Sequence, residues 1–253
     1  MNKTVTKNLI MATNSSIVKI ILIGLLFPIW ISCSTFGVKH MKRKPSDSVF
    51  VVASFQKISI EGKGRFQIYI KQSEQSGYKI EAAPDQLDLV KFSNENNRLG
   101  IRGDQKLDND RREINIYIHV KTIQAIKSNS VSDIEFEYPI IGDALLIETR
   151  GVNNVTGTLI IRKLDIDDSG VNKFDINGKA ERLTLNKSGV GNFNALDLEV
   201  QEAIINVSGI GSASVNILKS AEFYSSGISK ISYKGNPVIK HIDQSGIGRV
   251  RKL

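Results

Sequence analysis

The chain has one cysteine, Cys33, so no disulfide forms within it, and one tryptophan, Trp30, three residues before that thiol. Histidine is almost as scarce, with only His40, His119 and His241. No two of them stand at the spacing of a metal-ligand set, and one thiol makes no cluster, so neither a metal nor a cofactor is expected. A histidine-dependent triad lacks support too, because no nucleophile-elbow pattern surrounds any serine. No segment carries apolar residues at i, i+3, i+4 and i+7, which argues against helical and leucine-rich repeats. The longest apolar stretch, residues 20–31, is 12 residues long and contains Pro28. A bilayer span needs about 18. No acidic residue precedes Asp47.

That last absence gives the N-terminus its meaning. Lys3, Lys7 and Lys19 lead into the apolar stretch, and Ser32 and Cys33 follow it. Charged region, short apolar region and small residue are the parts of a secretory signal. Trp30-Ile31-Ser32-Cys33 resembles a lipobox, with Trp30 where leucine is usual. The expectation is a lipoprotein-type signal peptide over residues 1–32 and lipid on the Cys33 thiol, which would hold the protein on a membrane. Cleavage by ordinary signal peptidase and a retained anchor are the alternatives. Losing residues 1–32 lowers Lys plus Arg from 34 to 31 against 26 Asp plus Glu, an excess of +5. Part of that excess sits in residues 33–49, where Lys39, His40, Lys42, Arg43 and Lys44 read as a basic, solvated tether. An exported chain with mixed charge and no aromatic stripe is not expected to bind nucleic acid.

What the sequence does contain is a repeat. Glycines stand at Gly151, Gly170, Gly189, Gly209, Gly227 and Gly246, with spacings of 19, 19, 20, 18 and 19, and Ser130 takes the same slot one step upstream. Four residues before each marker is an apolar residue, from Ile126, Ile147 and Ile166 to Ile242. One residue after it come Val131, Val152, Val171, Val190, Ile210, Ile228 and Ile247, and four after it Ile134, Val155, Phe174, Phe193, Ala213, Ile231 and Val250. We read all three slots as inward-facing. With Leu145, Leu164 and Leu183 two residues further ahead, the alternation is that of a half-buried strand.

A strand-patterned unit of about 19 residues cannot bury its apolar face alone and must stack on its neighbours. The expected fold is all-β, a solenoid whose seven rungs, at about 4.8 Å each, make a rod on the order of 35 Å long. The marker glycines are expected to be structural turns with positive φ, where a β-carbon is costly. Serine precedes five of them, Ser169, Ser188, Ser208, Ser226 and Ser245, and stacked hydroxyls would hydrogen-bond along the rod. Residues 50–253 form the single solenoid domain, with 126–253 as regular coils and 50–125 as irregular first coils or a cap. In that first part Ile58 and Ile60, Phe66 to Ile70, and Ile114 to Val120 alternate, while Gln86–Phe92 reads as a short helical turn.

The opening Phe55-Gln-Lys-Ile58-Ser-Ile60-Glu-Gly62-Lys-Gly64-Arg-Phe66-Gln-Ile68-Tyr-Ile70-Lys-Gln72, with the Ser-Gly-Val and Ser-Gly-Ile corners behind it, resembles the putative auto-transporter adhesin, head GIN domain family (DUF2807). The resemblance covers about residues 50 to 250. It implies a right-handed β-helix-like fold and an envelope protein of a Gram-negative bacterium, often an outer-membrane lipoprotein. It supplies no catalytic residues.

For chemistry, the strongest constellation is acidic. Glu148 and Asp167 hold equivalent outward slots in adjacent coils, near 5 Å apart by the inter-strand spacing, like the carboxyl pair of a retaining glycosidase. Asp165 points the same way, Arg150 and Lys187 are placed to compensate the charge, and a bound calcium ion is the alternative compensation. The functional expectation is a non-catalytic, adhesin-like or structural envelope protein with a glycan or protein ligand. A polysaccharide hydrolase or lyase using Glu148, Asp165 and Asp167, and a periplasm-facing sensor or scaffold, stand as alternatives. Membrane face, ligand and oligomeric state are left open.

Overall fold

The computed structural model describes residues 50–253. Cys33, the signal segment and the basic tether lie outside the described residues. Fourteen strands share one sheet. In chain order they are β1 (Phe50–Val51), β2 (Lys57–Gln72), β3 (Gly77–Glu81), β4 (Val90–Glu95), β5 (Arg98–Gly103), β6 (Glu113–Val120), β7 (Ala125–Thr149), β8 (Val152–Asp168), β9 (Val171–Lys187), β10 (Val190–Val207), β11 (Ile210–Ser225), β12 (Ile228–Lys234), β13 (Val238–Gln244) and β14 (Arg249–Lys252). From β7 onward each coil pairs in parallel with the next, with Val131, Val152, Val171, Val190, Ile210 and Ile228 in one register line. The result is a β-solenoid of about six turns with coils of about 19 residues.

The first part does not follow chain order. β2 lies between β7 on one side and β5 with β6 on the other, all parallel. The chain therefore lays down its second layer first and then doubles back to build the end. There the stacking stops, because β3 pairs antiparallel with β6 and β4 antiparallel with β5. An antiparallel partner of different shape consumes the outward hydrogen bonds of a parallel coil and gives the next coil no template. Asn96 and Asn97, both at positive φ, make the tight turn between β4 and β5. The only α-helix among the described residues is one turn, Pro84–Leu87. It starts before the expected span and leaves Val90–Glu95 as a strand. Pro84 presets the first turn, and the Gln86 side chain accepts from the Ala83 N–H at 3.0 Å.

The core is a column of aliphatic and phenylalanine side chains. The slot four before each corner is fully buried from Ile126 to Phe223, as is the slot four after it from Ile134 to Ile231. Phe174 and Phe193 stack in neighbouring coils with ring centroids 5.7 Å apart, each burial contributing about 1.5–3 kcal/mol.

Two expectations are corrected. The residues directly after each corner face out: Val131 is 42% exposed, Val190 45% and Ile247 76%. Strand alternation runs on through the corner, so even-numbered steps from the marker point in and odd-numbered steps point out. Parity, not polarity, decides the side. Second, Gly151, Gly170, Gly189 and Gly209 do not have positive φ, whereas Gly227 and Gly246 do. Glycine is required at the first four because coils touch there. A Cβ at Gly189 would lie 2.0 Å from the carbonyl oxygen of Gly170, and one at Gly209 1.9 Å from that of Gly189.

Candidate functional site

The carboxylates come first, since the sequence singled them out. Glu148 and Asp167 are register partners in β7 and β8, and Asp165 lies two residues earlier on the same outward row. Each has its own partner. Lys127 pairs with Glu148, the Asn186 amide donates to Asp167 at 2.8 Å, and Lys163 sits 3.0 Å from Asp165. Lys187 does not compensate them, because two steps before a corner is an inward slot. The serine hydroxyls before the corners do not bond to one another either. Ser169 and Ser188 donate to the carbonyls of Thr149 and Asp168, at 3.4 and 3.5 Å. Among the described residues, no three of His, Cys, Asp and Glu gather closely enough to hold a metal ion. His119 is pushed below its ordinary pKa by burial and by Lys71. His241 lies against the Tyr224 ring, centroids 5.1 Å apart.

Lys187 instead ends a polar spine inside the rod. The inward slots beside the corner hold Ser128, Thr149, Asp168 and Lys187 on one side and Ser132, Asn153 and Asn172 on the other, all buried. Ser128 and Ser132 donate to Asn153 Oδ1 at 2.6 and 2.7 Å. Asn153 donates through Nδ2 to Asn172 at 2.9 Å, and Asn172 donates to Thr149 at 3.1 Å and to Asp168 at 2.5 Å. Lys187 closes the chain on Asp168 at 2.8 Å, its side chain 0% exposed. A buried charge pair survives only with its hydrogen bonds made, and here Asp168 uses both oxygens. No signal in hydropathy marks this spine, though its polar residues recur at the 19-residue spacing.

Outside, the faces differ. Ion pairs between coils cluster away from the corner, at Arg162–Asp143 (2.5 Å), Lys179–Glu199 (3.5 Å) and Arg182–Glu202 (3.5 Å). The face made by the five residues after each corner carries no ion pair among the described residues. It shows instead the aliphatic row from Val131 to Ile247, and beside it a shallow groove of 380 Å³ bordered by Asn154, Lys173 and Asn192.

At the N-terminal end, that row runs into a cleft of 1110 Å³. Positive φ at Gly62 and Gly64 bends β2 and sets Lys63 and Arg65 on its wall, and Lys91, Arg102 and Arg111 line it from the cap. Three aspartates also line it, and all are engaged. Asp104 accepts from the Lys106 N–H at 2.9 Å, Asp108 pairs with Lys63 at 2.7 Å, and Asp110 with Arg112 at 2.7 Å. Hydrogen bonding from Arg112 holds the Asp110 carboxyl down to about 2. Arg65, Lys91, Arg102 and Arg111 form no ion pair among the described residues, so the cleft presents uncommitted positive charge suited to carboxylate, sulfate or phosphate groups. No local sequence pattern marks this site; the cations converge through the doubling back of the cap.

Comparison with known proteins bears on this geometry. The profile of the family described as "putative auto-transporter adhesin, head GIN domain" matches residues 54–237. No curated protein matches the chain. A crystal structure of a putative adhesin from Bacteroides fragilis superposes with TM-score 0.71 at 26% identity, covering 83% of this chain and 99% of that one. A putative adhesin from Parabacteroides distasonis gives 0.67 at 18% identity, over 81% of this chain and 95% of its own. A putative lipid binding protein from the same species gives 0.54 at 16% identity over the same shares.

Proposed function

Since this chain belongs to the putative auto-transporter adhesin, head GIN domain family, we propose that it is a cell-envelope protein, anchored by lipid on Cys33, that binds an acidic polysaccharide rather than catalysing a reaction. The observation that carries this reading is the cleft, 1110 Å³ at the end of a rigid rod, lined by four cations without acidic partners. Repeated carboxylates or sulfates along a glycan would meet Arg65, Arg102 and Arg111 in turn, and a long-range positive field would speed capture. The hydrolase alternative gains nothing from the fold, because Glu148, Asp165 and Asp167 are each tied to a neighbouring side chain. The lipid-binding neighbour, at 16% identity, shares the fold alone with this chain.

Binding of polygalacturonate and of neutral dextran to the full chain tests the ligand class. Salt-sensitive binding of polygalacturonate, lost in Arg102→Ala/Arg111→Ala, is the expected result. Equal binding of dextran, or indifference to the two arginines, overturns it. Fatty-acid labelling of wild type and Cys33→Ala, with protease shaving of intact cells, tests the anchor and the face. Label without shaving points to the periplasm-facing scaffold, and no label sinks the lipoprotein assignment.

A further inference from the structure

The face after the corner demands an explanation of its own. Val131, Val152, Val171, Val190, Ile210, Ile228 and Ile247 lie one above another and are 42, 50, 54, 45, 53, 57 and 76% exposed. Taking about 160–200 Å² for each fully exposed side chain, the row shows roughly 650 Å² of apolar surface in one strip, more than the few hundred Å² usual on a monomer. Flanking rows are mostly small and uncharged, Ser169, Ser188 and Ser208 before the corner and Asn154, Asn192 and Ser212 beyond it, with Arg150, Lys173 and Lys230 as their charged members between the row's ends. Depletion of charge beside exposed aliphatics is the composition of a protein interface core. No tryptophan or tyrosine borders this row in the coils Val152 to Ile210, as a membrane-facing strip would have.

We propose that this face binds a second copy of the same chain, two rods lying side by side and antiparallel about a two-fold axis at Val190. A ladder with one repeat of about 4.8 Å is complementary to itself, since about this axis Val190 meets the partner's Val190 and Val171 the partner's Ile210. Both copies together bury about 1,300 Å² from the row alone, within the range of specific interfaces.

Charge selects the direction. At one end of the face, Asp133 and Glu135 stand three and five residues after the first corner. At the other, Arg249 and Arg251 hold the same two slots, all outward-facing and in their coils' register. Three coils separate the axis from either end. Antiparallel rods therefore set Asp133 and Glu135 against Arg249 and Arg251 twice over, while parallel rods stack like on like. The two anionic-ligand clefts come to opposite ends of the pair, an arrangement suited to bridging one long polymer or two surfaces. The dimer stands whether or not the cleft reading does, because no residue of the central interface lines the 1110 Å³ cleft beyond Val131 and Val152.

Sedimentation equilibrium of the full chain in density-matched detergent decides it. Wild type is expected as a dimer, and Val171→Glu/Val190→Glu/Ile210→Glu as a monomer with unchanged β-sheet circular dichroism and a dissociation constant at least a hundredfold weaker. Val171→Thr/Val190→Thr/Ile210→Thr keeps the β-branched shape and weakens it less, which separates interface loss from misfolding. Arg249→Glu/Arg251→Glu weakens the dimer about tenfold, and adding Asp133→Arg/Glu135→Arg restores it. A wild-type monomer at 100 µM, a dimer indifferent to the aliphatic row, or a charge swap without rescue each overturns the proposal. So does row-dependent capture on phosphatidylglycerol vesicles by a chain that stays monomeric.

Discussion

Two stretches of the regular rod share a period and a register and differ inside. From Ala125 to Lys187, the slots flanking the corner hold the hydrogen-bonded spine that ends on Asp168 and Lys187. From Val190 to Val207 the same slots hold Gly191 and Val207, and the core beside them is Phe193, Ala195 and Ile205. One coil geometry therefore accepts either filling, provided each polar atom finds a partner. The difference teaches that backbone stacking, not core chemistry, fixes the coil, while core chemistry fixes which substitutions it tolerates.

The largest break falls on the charge pair. Lys187→Ala leaves the Asp168 carboxyl group buried without its cation, and costs about 3–5 kcal/mol. Asp168→Leu/Lys187→Met, which makes the polar stretch resemble the apolar one, costs far less than the single change. Urea midpoints of the three proteins measure this, and a double variant as unstable as Lys187→Ala would show that the stretches are not interchangeable.

Backbone contact comes next and treats both stretches alike. Gly189→Ala sets a Cβ 2.0 Å from the Gly170 oxygen, an overpacking worth about 1–3 kcal/mol. Gly142→Ala meets nothing nearer than the Ile161 side chain at 3.3 Å and stays within about 0.5 kcal/mol. Equal melting shifts would refute the reading of corner glycines as contact sites.

A smaller pair sharpens the contrast from both sides. Val200→Thr puts a hydroxyl between its apolar register partners Ala180 and Ile217 and costs about 1–3 kcal/mol. Thr149→Val removes one acceptor from Asn172, which retains Asp168, and costs about 1 kcal/mol. Reversal of that order in thermal melts would mean that the spine is the more fragile half.

The smallest effect belongs to the cap. Asp110, held down to about 2 by Arg112, has a folded pKa below its unfolded one. Its contribution is present above the ordinary carboxylate range and lost as pH falls toward that value. Arg112→Ala therefore lowers the urea midpoint slightly at pH 7, and the gap from wild type closes near pH 2. A gap independent of pH would assign the effect to lost packing of the arginine instead.

Much of the rod was legible. The recurring glycines at 19-residue spacing, with Ile147, Ile166 and Leu185 in one slot and Val155, Phe174 and Phe193 in another, state a strand-built repeat and its core. The exposed row was misread because Val152 and Val171 look like core residues, and Lys187 was read as facing the outer carboxylates because it is charged. Counting steps from the corner corrects both. The cleft was not legible, since Arg65, Arg102 and Arg111 are far apart in sequence and meet only where the cap folds back.

By itself the sequence determined the period, the strand character and the stacking of coils, because these follow from local alternation and from an apolar face that one coil cannot bury. Tertiary structure alone decided that β2 lies inside β5 and β6, that a lysine and an aspartate neutralise each other within the rod, and that seven aliphatic residues stand in water. Those outcomes depend on which non-adjacent segments pair, and hydrogen bonding between strands is specified by register and closure rather than by the hydropathy of any one residue.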